Sequence, residues 1–332
     1  MSNDRRIAYF DILNVISCFG VVCLHSNGYV HSFDKDAWWW LRVLVEVLFY
    51  FAVPVFFMLS GANLMEYRKR YSTVQYARKR FLKGVLPYLL WGCFFTSIFC
   101  LNSSLSDIRW IIKSFTDGSI PYTAYWFFIP LFILYVYIPF LSLLVIRLSH
   151  KQMVSLLAIM IFFQSLLPSL YFVLGLSFKF SLPLGGYFIY ALLGYYISTS
   201  DIDKNDGFCY SIYALSVLSL IFRYIMLYSS DARDDMLFTY FGIYAIFPAI
   251  AIFLFFKRLQ ISNVWLPRVF MFLAKRSYGV YLIHVFLIFL LSKVINSQNP
   301  LFIPICAILV YSVSVFVVSL LQKIKLTRYL VP

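Results

Sequence analysis

Charged side chains are scarce in this chain. Aspartate, glutamate, lysine and arginine make up 13% of its 332 residues, whereas soluble chains carry about a quarter. Hydrophobic residues make up 62%, and the mean hydropathy is +0.82. A water-soluble fold could not bury so much apolar surface, so we expect lipid to surround most of the protein. No polar stretch is long enough for a second domain, and residues 1–332 are expected to form one domain.

Metal-binding, cleavage and repeat motifs are also lacking. The cysteines show neither a CxxC pair nor another metal-ligand spacing. We expect all of them to be small buried apolar residues; they are Cys18, Cys23, Cys93, Cys100, Cys209 and Cys306. The first apolar run follows Arg5 and Arg6 without a small-x-small cleavage site, so we expect it to remain as a membrane anchor. Internal repeats and low-complexity linkers are not found.

Long apolar runs dominate the chain instead. A bilayer core is crossed by about 20 residues of helix, and only helices are credible here because lipid offers no partner to an open strand edge. The sequence therefore predicts an all-α, polytopic membrane protein with ten transmembrane helices. The predicted spans are 7–27, 42–65, 81–101, 125–146, 152–173, 182–198, 208–228, 236–256, 274–293 and 301–322.

The lysines and arginines are distributed unevenly between the loops that these spans define. Of the 28, 20 fall on the face that carries both termini, 6 on the opposite face, and 2, Arg42 and Arg223, near span ends. The positive-inside rule then places both termini in the cytoplasm. The net charge of +14 is explained by loops that face an anionic leaflet, so nucleic acid is not expected as a partner.

Two predicted outer loops have distinct characters. The segment 27–41 ends in Trp38, Trp39 and Trp40, which are expected to anchor the chain at the outer interface. The segment 102–124 is the longest outer loop, and its mixture of charged and apolar residues suits an amphipathic surface or re-entrant helix.

Ionisable residues inside apolar spans are costly and often mark function. His25 lies toward the outer end of the first predicted span, between apolar residues. A neutral imidazole can take a proton from a hydroxyl group near pH 7. His25 is therefore the candidate catalytic base. The alternative is a histidine that is hydrogen-bonded to a helix carbonyl or placed at the wet interface.

Glu46 lies at a similar depth in the second predicted span. Consecutive antiparallel spans are usually neighbours, so its carboxylate could orient the imidazole of His25 and stabilise the imidazolium that forms. The alternative is an ion pair with Arg42, one turn away on the same helix.

A dense basic cluster runs from Arg68 to Lys83 between the second and third spans. Arg80 and Lys83 are three residues apart and share a helix face, and Arg78 precedes them. Arginine offers forked hydrogen bonds and lysine a point charge, so the pair suits a phosphate-rich ligand. Ordinary anchoring to lipid headgroups is the alternative.

Six motifs, in order along nearly the whole chain, resemble one family. The first span carries Asp11 and His25 at the spacing of that family's signature, with Asn14 where most members have arginine. The other five are VPVFFMLSG (53–61), RKRFLKGVLPYLLW (78–91), YWFFIPLFILYVYIP (125–139), GGYFIYALLGYYI (185–197) and SYGVYLIH (277–284). The chain thus resembles the acyltransferase-3 family of membrane acyltransferases, which includes surface-polysaccharide O-acetyltransferases.

The resemblance implies a donor and a reaction. The expected donor is acyl-CoA, most simply acetyl-CoA, used as a co-substrate without a permanently bound cofactor or metal. Its phosphates would contact Arg78, Arg80 and Lys83, with Asn14 nearby. His25 would then deprotonate a hydroxyl that attacks the thioester directly. A covalent acyl-enzyme through Ser26 is less favoured, because neighbouring helical residues point about 100° apart.

The resemblance also implies an acceptor and a location. The expected acceptor is a hydroxyl of a surface glycan or of its lipid-linked precursor, and the expected location is a bacterial cytoplasmic membrane. The oligomeric state is left open, with a homodimer as one alternative. For His284 a helix-to-helix hydrogen bond is favoured over catalysis. The residues expected to contact substrate or line its path are Asp11, Asn63, Trp126, Ser277, Tyr281 and His284.

Two other classes of function remain as alternatives. A transporter or flippase of a lipid-linked saccharide would also need many spans with buried polar groups, although transporters often contain inverted repeats. A non-enzymatic scaffold would leave Glu46 and the region of His25 without a purpose. Stabilisation of the purified protein by acyl-CoA would separate these alternatives from an acyltransferase.

Overall fold

The computed structural model describes residues 7–102, 107–176, 186–260, 265–325 and 327–332. Within these ranges the chain is helical and contains no strand. The α-helices are α1 (Ala8–Ser26), α2 (Trp39–Phe49), α3 (Ala52–Leu64), α4 (Thr73–Arg80), α5 (Leu86–Asn102), α6 (Ile108–Asp117), α7 (Phe128–Arg147), α8 (His150–Ile161), α9 (Leu167–Val173), α10 (Phe188–Thr199), α11 (Asp206–Ser229), α12 (Ile243–Arg258), α13 (Trp265–Ala274), α14 (Ser277–Ser292) and α15 (Phe302–Lys323).

Seven helical segments in the described ranges are long and apolar enough to cross a membrane. They are Ala8–Ser26, Trp39–Lys69, Thr73–Leu101, Tyr125–Arg147, His150–Val173, Asp206–Ser229 and Phe302–Lys323. An eighth results if α13 and α14, which meet at a bend of 60°, are counted as one span. The prediction of an all-α membrane fold is confirmed, and the count of ten stays a prediction.

The remaining predicted spans correspond to shorter or interrupted helices. The span predicted at 236–256 begins later, because α12 starts at Ile243 and has 16 residues. The span predicted at 182–198 corresponds to α10, which has 12 residues; its first positions, 182–185, lie outside the described residues. Length alone therefore does not make either helix a complete bilayer crossing.

The core of the molecule lies where α1, α3, α10, α12, α14 and α15 pack together. Helices α3 and α10 approach most closely at two glycines. A Cβ atom on Gly61 would lie 1.9 Å from the carbonyl oxygen of Ala191, and one on Gly194 would lie 2.0 Å from that of Met58. Only hydrogen fits in this space, so the two glycines set how near α3 lies to α10.

Apolar side chains at the periphery face outward rather than into the core. Phe140 on α7, Leu218 on α11 and Phe316 on α15 are each at least 63% exposed. In water such a surface would drive aggregation, but in hydrocarbon it is the normal exterior of a membrane-spanning helix. The apolar composition therefore accounts both for the apolar side chains packed inside the bundle and for those exposed on its outside.

A π-helical turn over Phe81–Val85 interrupts the helical segment between α4 and α5. A wider turn of this kind changes the direction in which side chains project, and such turns are frequent at functional sites. It also carries Gly84, whose carbonyl oxygen accepts a 2.6 Å hydrogen bond from the hydroxyl of Tyr278 on α14. The turn thus connects the basic segment to α14.

The two predicted outer loops contain short ordered elements. In the longer one α6 is confirmed as a helix; it ends at Gly118 in a left-handed conformation (φ 75°), where a Cβ atom would lie 2.5 Å from the Cα of Trp126. In the shorter one Trp38 and Trp40 are exposed, whereas Trp39 is buried and donates to the carbonyl oxygen of Tyr228. The anchor role predicted for Trp39 is therefore wrong.

The cysteines also differ from one another. Cys18, Cys23, Cys209 and Cys306 are buried as expected. Cys93 on α5 is exposed and Cys100 is half-buried, so the expectation that all six would be buried is wrong for these two. Both lie on α5, which also exposes apolar side chains such as Leu90 and Phe94, and a small apolar side chain is equally acceptable on such a surface.

Candidate active site

Helix α1 passes two separate cavities. Asn14 lines the first, of about 760 Å³, and His25 lines the second, of about 430 Å³. The two residues are eleven positions apart, which corresponds to roughly 16 Å along a helix. We call the first the basic cavity and the second the histidine cavity. A single helix, α1, therefore extends from the basic cavity to the histidine cavity.

The basic cavity collects cations from the segment between α3 and α5. Arg70, Arg80 and Lys83 line it. Arg80 directly precedes the π-helical turn, and Lys83 lies within it. Of the residues predicted to bind donor or substrate, it contains Asn14, Asn63, Arg80, Lys83, Ser277 and Tyr281. Arg70 belongs to the predicted basic cluster but is not among the predicted donor contacts. Arg78 lies on the exposed surface of α4 and does not line the cavity.

Two buried polar atoms at the basic cavity have no hydrogen-bond partner within the described part of the chain. They are the Oδ1 of Asn14 and the Nε of Arg80. Buried polar atoms are usually paired, so each such atom calls for an explanation, and a bound ligand is one. The Arg80 guanidinium also lies 5.5 Å from the ring centre of Tyr135, a cation–π distance. One acceptor and one donor therefore point to a ligand with polar groups of both kinds.

The histidine cavity has mostly aromatic walls. Tyr240 is stacked between Tyr50 and Trp126, with ring centroids 4.4 and 5.7 Å apart respectively. Tyr187 and Phe241 form another part of the wall. His25, Glu46, Trp126 and Tyr281 were predicted from the sequence, whereas His31 and the aromatic residues of 187–241 were not, because nothing in their local sequence indicates a common cavity. His31 and Arg233 supply further polar groups.

Glu46 lines the same cavity as His25 but binds a different residue. Its carboxylate lies 3.5 Å from the guanidinium of Arg223, which is fully buried and also donates to the Glu46 carbonyl oxygen at 3.0 Å. Among the described residues no hydrogen bond joins Glu46 to His25. The ion pair with Arg223 holds the carboxylate at the cavity wall, and its role in orienting the imidazole stays a prediction.

The alternative pairing of Glu46 with Arg42 is wrong. Arg42 instead forms a 3.0 Å ion pair with Asp36 and donates to the carbonyl oxygen of Gln298. The hydrogen bond from Arg42 lowers the pKa of the Asp36 carboxyl below its usual value. Asp36 lies in the segment before α2, and Gln298 lies in the loop before α15. Arg42 therefore connects these two segments.

Tyr281 belongs to the walls of both cavities. Its hydroxyl donates to the carbonyl oxygen of Ala124 at 2.9 Å, and its ring centroid lies 5.1 Å from that of Phe127. One aromatic side chain on α14 thus separates the basic cavity from the histidine cavity.

His284 lies one turn further along α14, next to the candidate base. Its ring centroid is 5.2 Å from that of His25, and its Nδ1 is 2.8 Å from the carbonyl oxygen of Tyr281 in the same helix. Among the described residues His284 makes no hydrogen bond to another helix, which was the contact expected for it. Its Nε2 is buried without a hydrogen-bond partner in the described ranges.

Two further residues considered from the sequence lie away from the cavities. Asp11 is buried in the first turn of α1 and lines neither cavity. Ser26 is buried and its hydroxyl donates to the carbonyl oxygen of Val22 at 2.8 Å. That bond turns the hydroxyl back along α1, so Ser26 is not presented as a nucleophile.

The fold and these cavities define an integral-membrane protein whose helices enclose a basic pocket and an imidazole-bearing pocket on opposite sides of one tyrosine. A family model described as an acyltransferase domain matches residues 7–321. The chain therefore belongs to the acyltransferase-3 family, as the sequence motifs indicated. No curated protein and no solved structure matches the chain.

Proposed function

We propose that this protein is an acyl-CoA-dependent O-acyltransferase with His25 as the general base. The acyl group is most simply the acetyl of acetyl-CoA, and the acceptor is a hydroxyl of a glycan or of its lipid-linked precursor. One observation carries the proposal: the cations Arg80 and Lys83 line a cavity at one end of α1, His25 lines a cavity at the other, and the two share the wall at Tyr281.

The basic cavity suits the donor. Arg80 can hold a phosphate through forked hydrogen bonds and Lys83 can add a point charge. The pantetheine arm contains amide N–H groups, for which the unpartnered Oδ1 of Asn14 is a suitable acceptor. Asn14 would thus take a neutral polar role where most family members have arginine. The thioester reaches His25 when the ring of Tyr281 turns aside.

The histidine cavity suits the acceptor. The faces of sugar rings carry C–H groups, which pack well against aromatic rings such as those of Trp126 and Tyr187. Polar groups at the same walls can fix the orientation of the hydroxyls, as in most small-molecule sites. A saccharide bound in this way would present one hydroxyl to His25.

The reaction proceeds by direct transfer. His25 removes the proton of the acceptor hydroxyl while its oxygen attacks the thioester carbonyl carbon. The tetrahedral intermediate then collapses, the carbon–sulfur bond breaks, and the imidazolium returns its proton to the CoA thiolate. Glu46 adds negative charge to the cavity wall and stabilises the transient imidazolium, although its ion pair with Arg223 offsets part of this effect. A dry cavity limits hydrolysis of the thioester.

The orientation of the protein follows from the proposed donor. CoA is a cytoplasmic metabolite, so the basic cavity opens to the cytoplasm, which agrees with the positive-inside distribution of charge. Ten spans with both termini in the cytoplasm and a bacterial cytoplasmic membrane as the location complete the proposal. The acceptor is then modified at the outer side of that membrane.

The test is transfer of labelled acetyl groups by protein reconstituted in liposomes with acetyl-CoA and a glycan acceptor. His25→Gln should lower kcat roughly 100-fold to 10,000-fold, the usual contribution of a general base. His150→Gln is the matched control, since His150 contacts Tyr196 and lies at neither cavity. A His25→Gln protein that is folded and fully active would remove the assignment.

The same preparation distinguishes an acyltransferase from a flippase. Acetyl-CoA should raise the Tm of the purified protein, because a ligand that binds the folded state stabilises it. Translocation of a lipid-linked saccharide without any dependence on CoA, together with an unchanged Tm, would favour the transporter instead.

A further inference from the structure

His284 combines three features that no other described residue of the site shows together. It is fully buried, its ring lies against that of His25, and its Nε2 has no hydrogen-bond partner among the described residues. A buried polar atom without a partner is costly. Helix packing alone does not account for it, because an apolar residue would fill the same space without that cost.

The hydrogen bond at the other ring nitrogen fixes the tautomer of His284. A carbonyl oxygen only accepts, so the Nδ1 that lies 2.8 Å from the Tyr281 carbonyl oxygen must carry the proton. In neutral His284 the Nε2 is then a lone-pair acceptor. Its neighbour His25 is half-buried and lines a cavity, so that side chain has room to rotate.

We infer that His284 is the positioning residue for His25: its Nε2 accepts a hydrogen bond from one ring nitrogen of His25 and leaves the other as the free base. The ring centroids are 5.2 Å apart and the planes are tilted by 50°, so the rings are neighbours, and a rotation of the His25 side chain would complete the bond. A third group that orients the base is the general arrangement of nucleophilic sites.

This inference assigns to an imidazole the orienting role that the sequence suggested for Glu46. Glu46 is bound to Arg223 by its side chain and by its main chain, so it acts on His25 through charge alone. His284 instead acts through direct contact. The inference rests on the proposed function, and its test includes a readout that does not need activity.

The kinetic test compares three substitutions at one position. Glutamine places an acceptor near the position of Nε2, asparagine places its amide near Nδ1 only, and phenylalanine keeps the ring volume without any acceptor. His284→Gln should keep most of kcat, whereas His284→Phe and His284→Asn should lower it at least tenfold. The KM for acetyl-CoA and the rise in Tm on adding CoA should stay unchanged in all three, because the donor phosphates bind elsewhere.

Equal activity of the glutamine and asparagine variants would overturn the inference. This comparison remains decisive even when the phenylalanine variant does not fold. A wild-type kcat in His284→Phe would also overturn it.

The spectroscopic test uses protein labelled with ¹⁵N-histidine. The His25 signal of the wild type should report one dominant tautomer, and His284→Phe should shift it toward a mixture while the signal of His150 stays unchanged. If the His25 signal is the same in the wild type and in His284→Phe, the inference is overturned whatever the activity. A wild-type protein that shows one His25 tautomer but transfers no acetyl group would instead contradict only the proposed function.

Discussion

Arg78 and Arg80 are two residues apart in the sequence, yet only Arg80 reaches the basic cavity. Arg78 lies on the exposed face of α4, and Arg80 is followed at once by the π-helical turn. Helical residues two positions apart point about 200° apart. The sequence placed both among the donor contacts because it shows the charge cluster but not the direction of each side chain.

The difference between these arginines is a testable prediction. Arg80→Gln should raise the KM for acetyl-CoA roughly tenfold or more, because a hydrogen bond to a charged group contributes about 1.5–3 kcal/mol. Arg78→Gln, the matched control, should leave that KM within about twofold. Steady-state kinetics at saturating acceptor measures both. An equal effect of the two substitutions would argue that the cluster acts only through its general charge.

Tyr281 makes a second prediction at the residue scale. Tyr281→Phe removes the hydrogen bond to the Ala124 carbonyl oxygen, which holds the ring between the cavities. If that ring must turn to admit the thioester, the variant should bind CoA as the wild type does and keep at least wild-type kcat. Tyr281→Trp, which is bulkier, should keep CoA binding in the basic cavity and lose transfer.

Thermal shift with CoA and the transfer assay give the two readouts for these variants. Transfer by Tyr281→Trp at the wild-type rate would show that the donor takes another route to His25.

At the scale of elements, the apolar pattern predicts helices well and their interruptions poorly. The first span was expected at 7–27, and α1 covers Ala8–Ser26. The second was expected as one run at 42–65, but the helix breaks between Phe49 and Ala52. The same holds for the π-helical turn and for the 60° bend before Ser277. Such interruptions depend on what packs against each helix, and a run of hydrophobic residues contains no information about that.

The crossing of α3 and α10 provides a prediction at this scale. Gly194→Ala places a methyl group against the Met58 carbonyl oxygen, so the two helices must separate. Overpacking typically costs about 1–3 kcal/mol, and here the obstacle is backbone that cannot rotate away. We expect a loss at the upper end of that range or beyond, seen as a lower Tm in detergent and a lower yield.

Gly207→Ala is the control for this substitution. Gly207 lies in the first turn of α11, where a Cβ atom would meet only an Asn205 side-chain oxygen at 3.6 Å. Alanine favours helix over glycine by about 1 kcal/mol, so this variant should be as stable as the wild type or more so. Equal stability of the two alanine variants would show that α3 and α10 tolerate a wider separation.

At the scale of the whole molecule, the orientation in the membrane decides which cavity meets CoA. Val74 is 79% exposed and lies on α4, the helix that ends at Arg80, whereas Val294 after α14 is 83% exposed and lies in a predicted outer loop. In a cysteine-free background, an impermeant maleimide added to intact cells should label Val294→Cys and not Val74→Cys. Permeabilised cells, in which both should react, are the control. Reversed labelling would contradict a cytoplasmic donor site.

The sequence by itself determined that the protein is an all-α membrane protein of the acyltransferase-3 family. It also indicated His25, Asn14, Arg80 and Lys83 as candidate site residues. These follow from composition, the length of apolar runs and motif order, which are properties of the linear chain. Only the tertiary structure decided that Arg223 rather than Arg42 binds Glu46, and that His284 lies beside His25. Such contacts join residues far apart in sequence, and they depend on helix rotation and crossing, which local patterns do not encode.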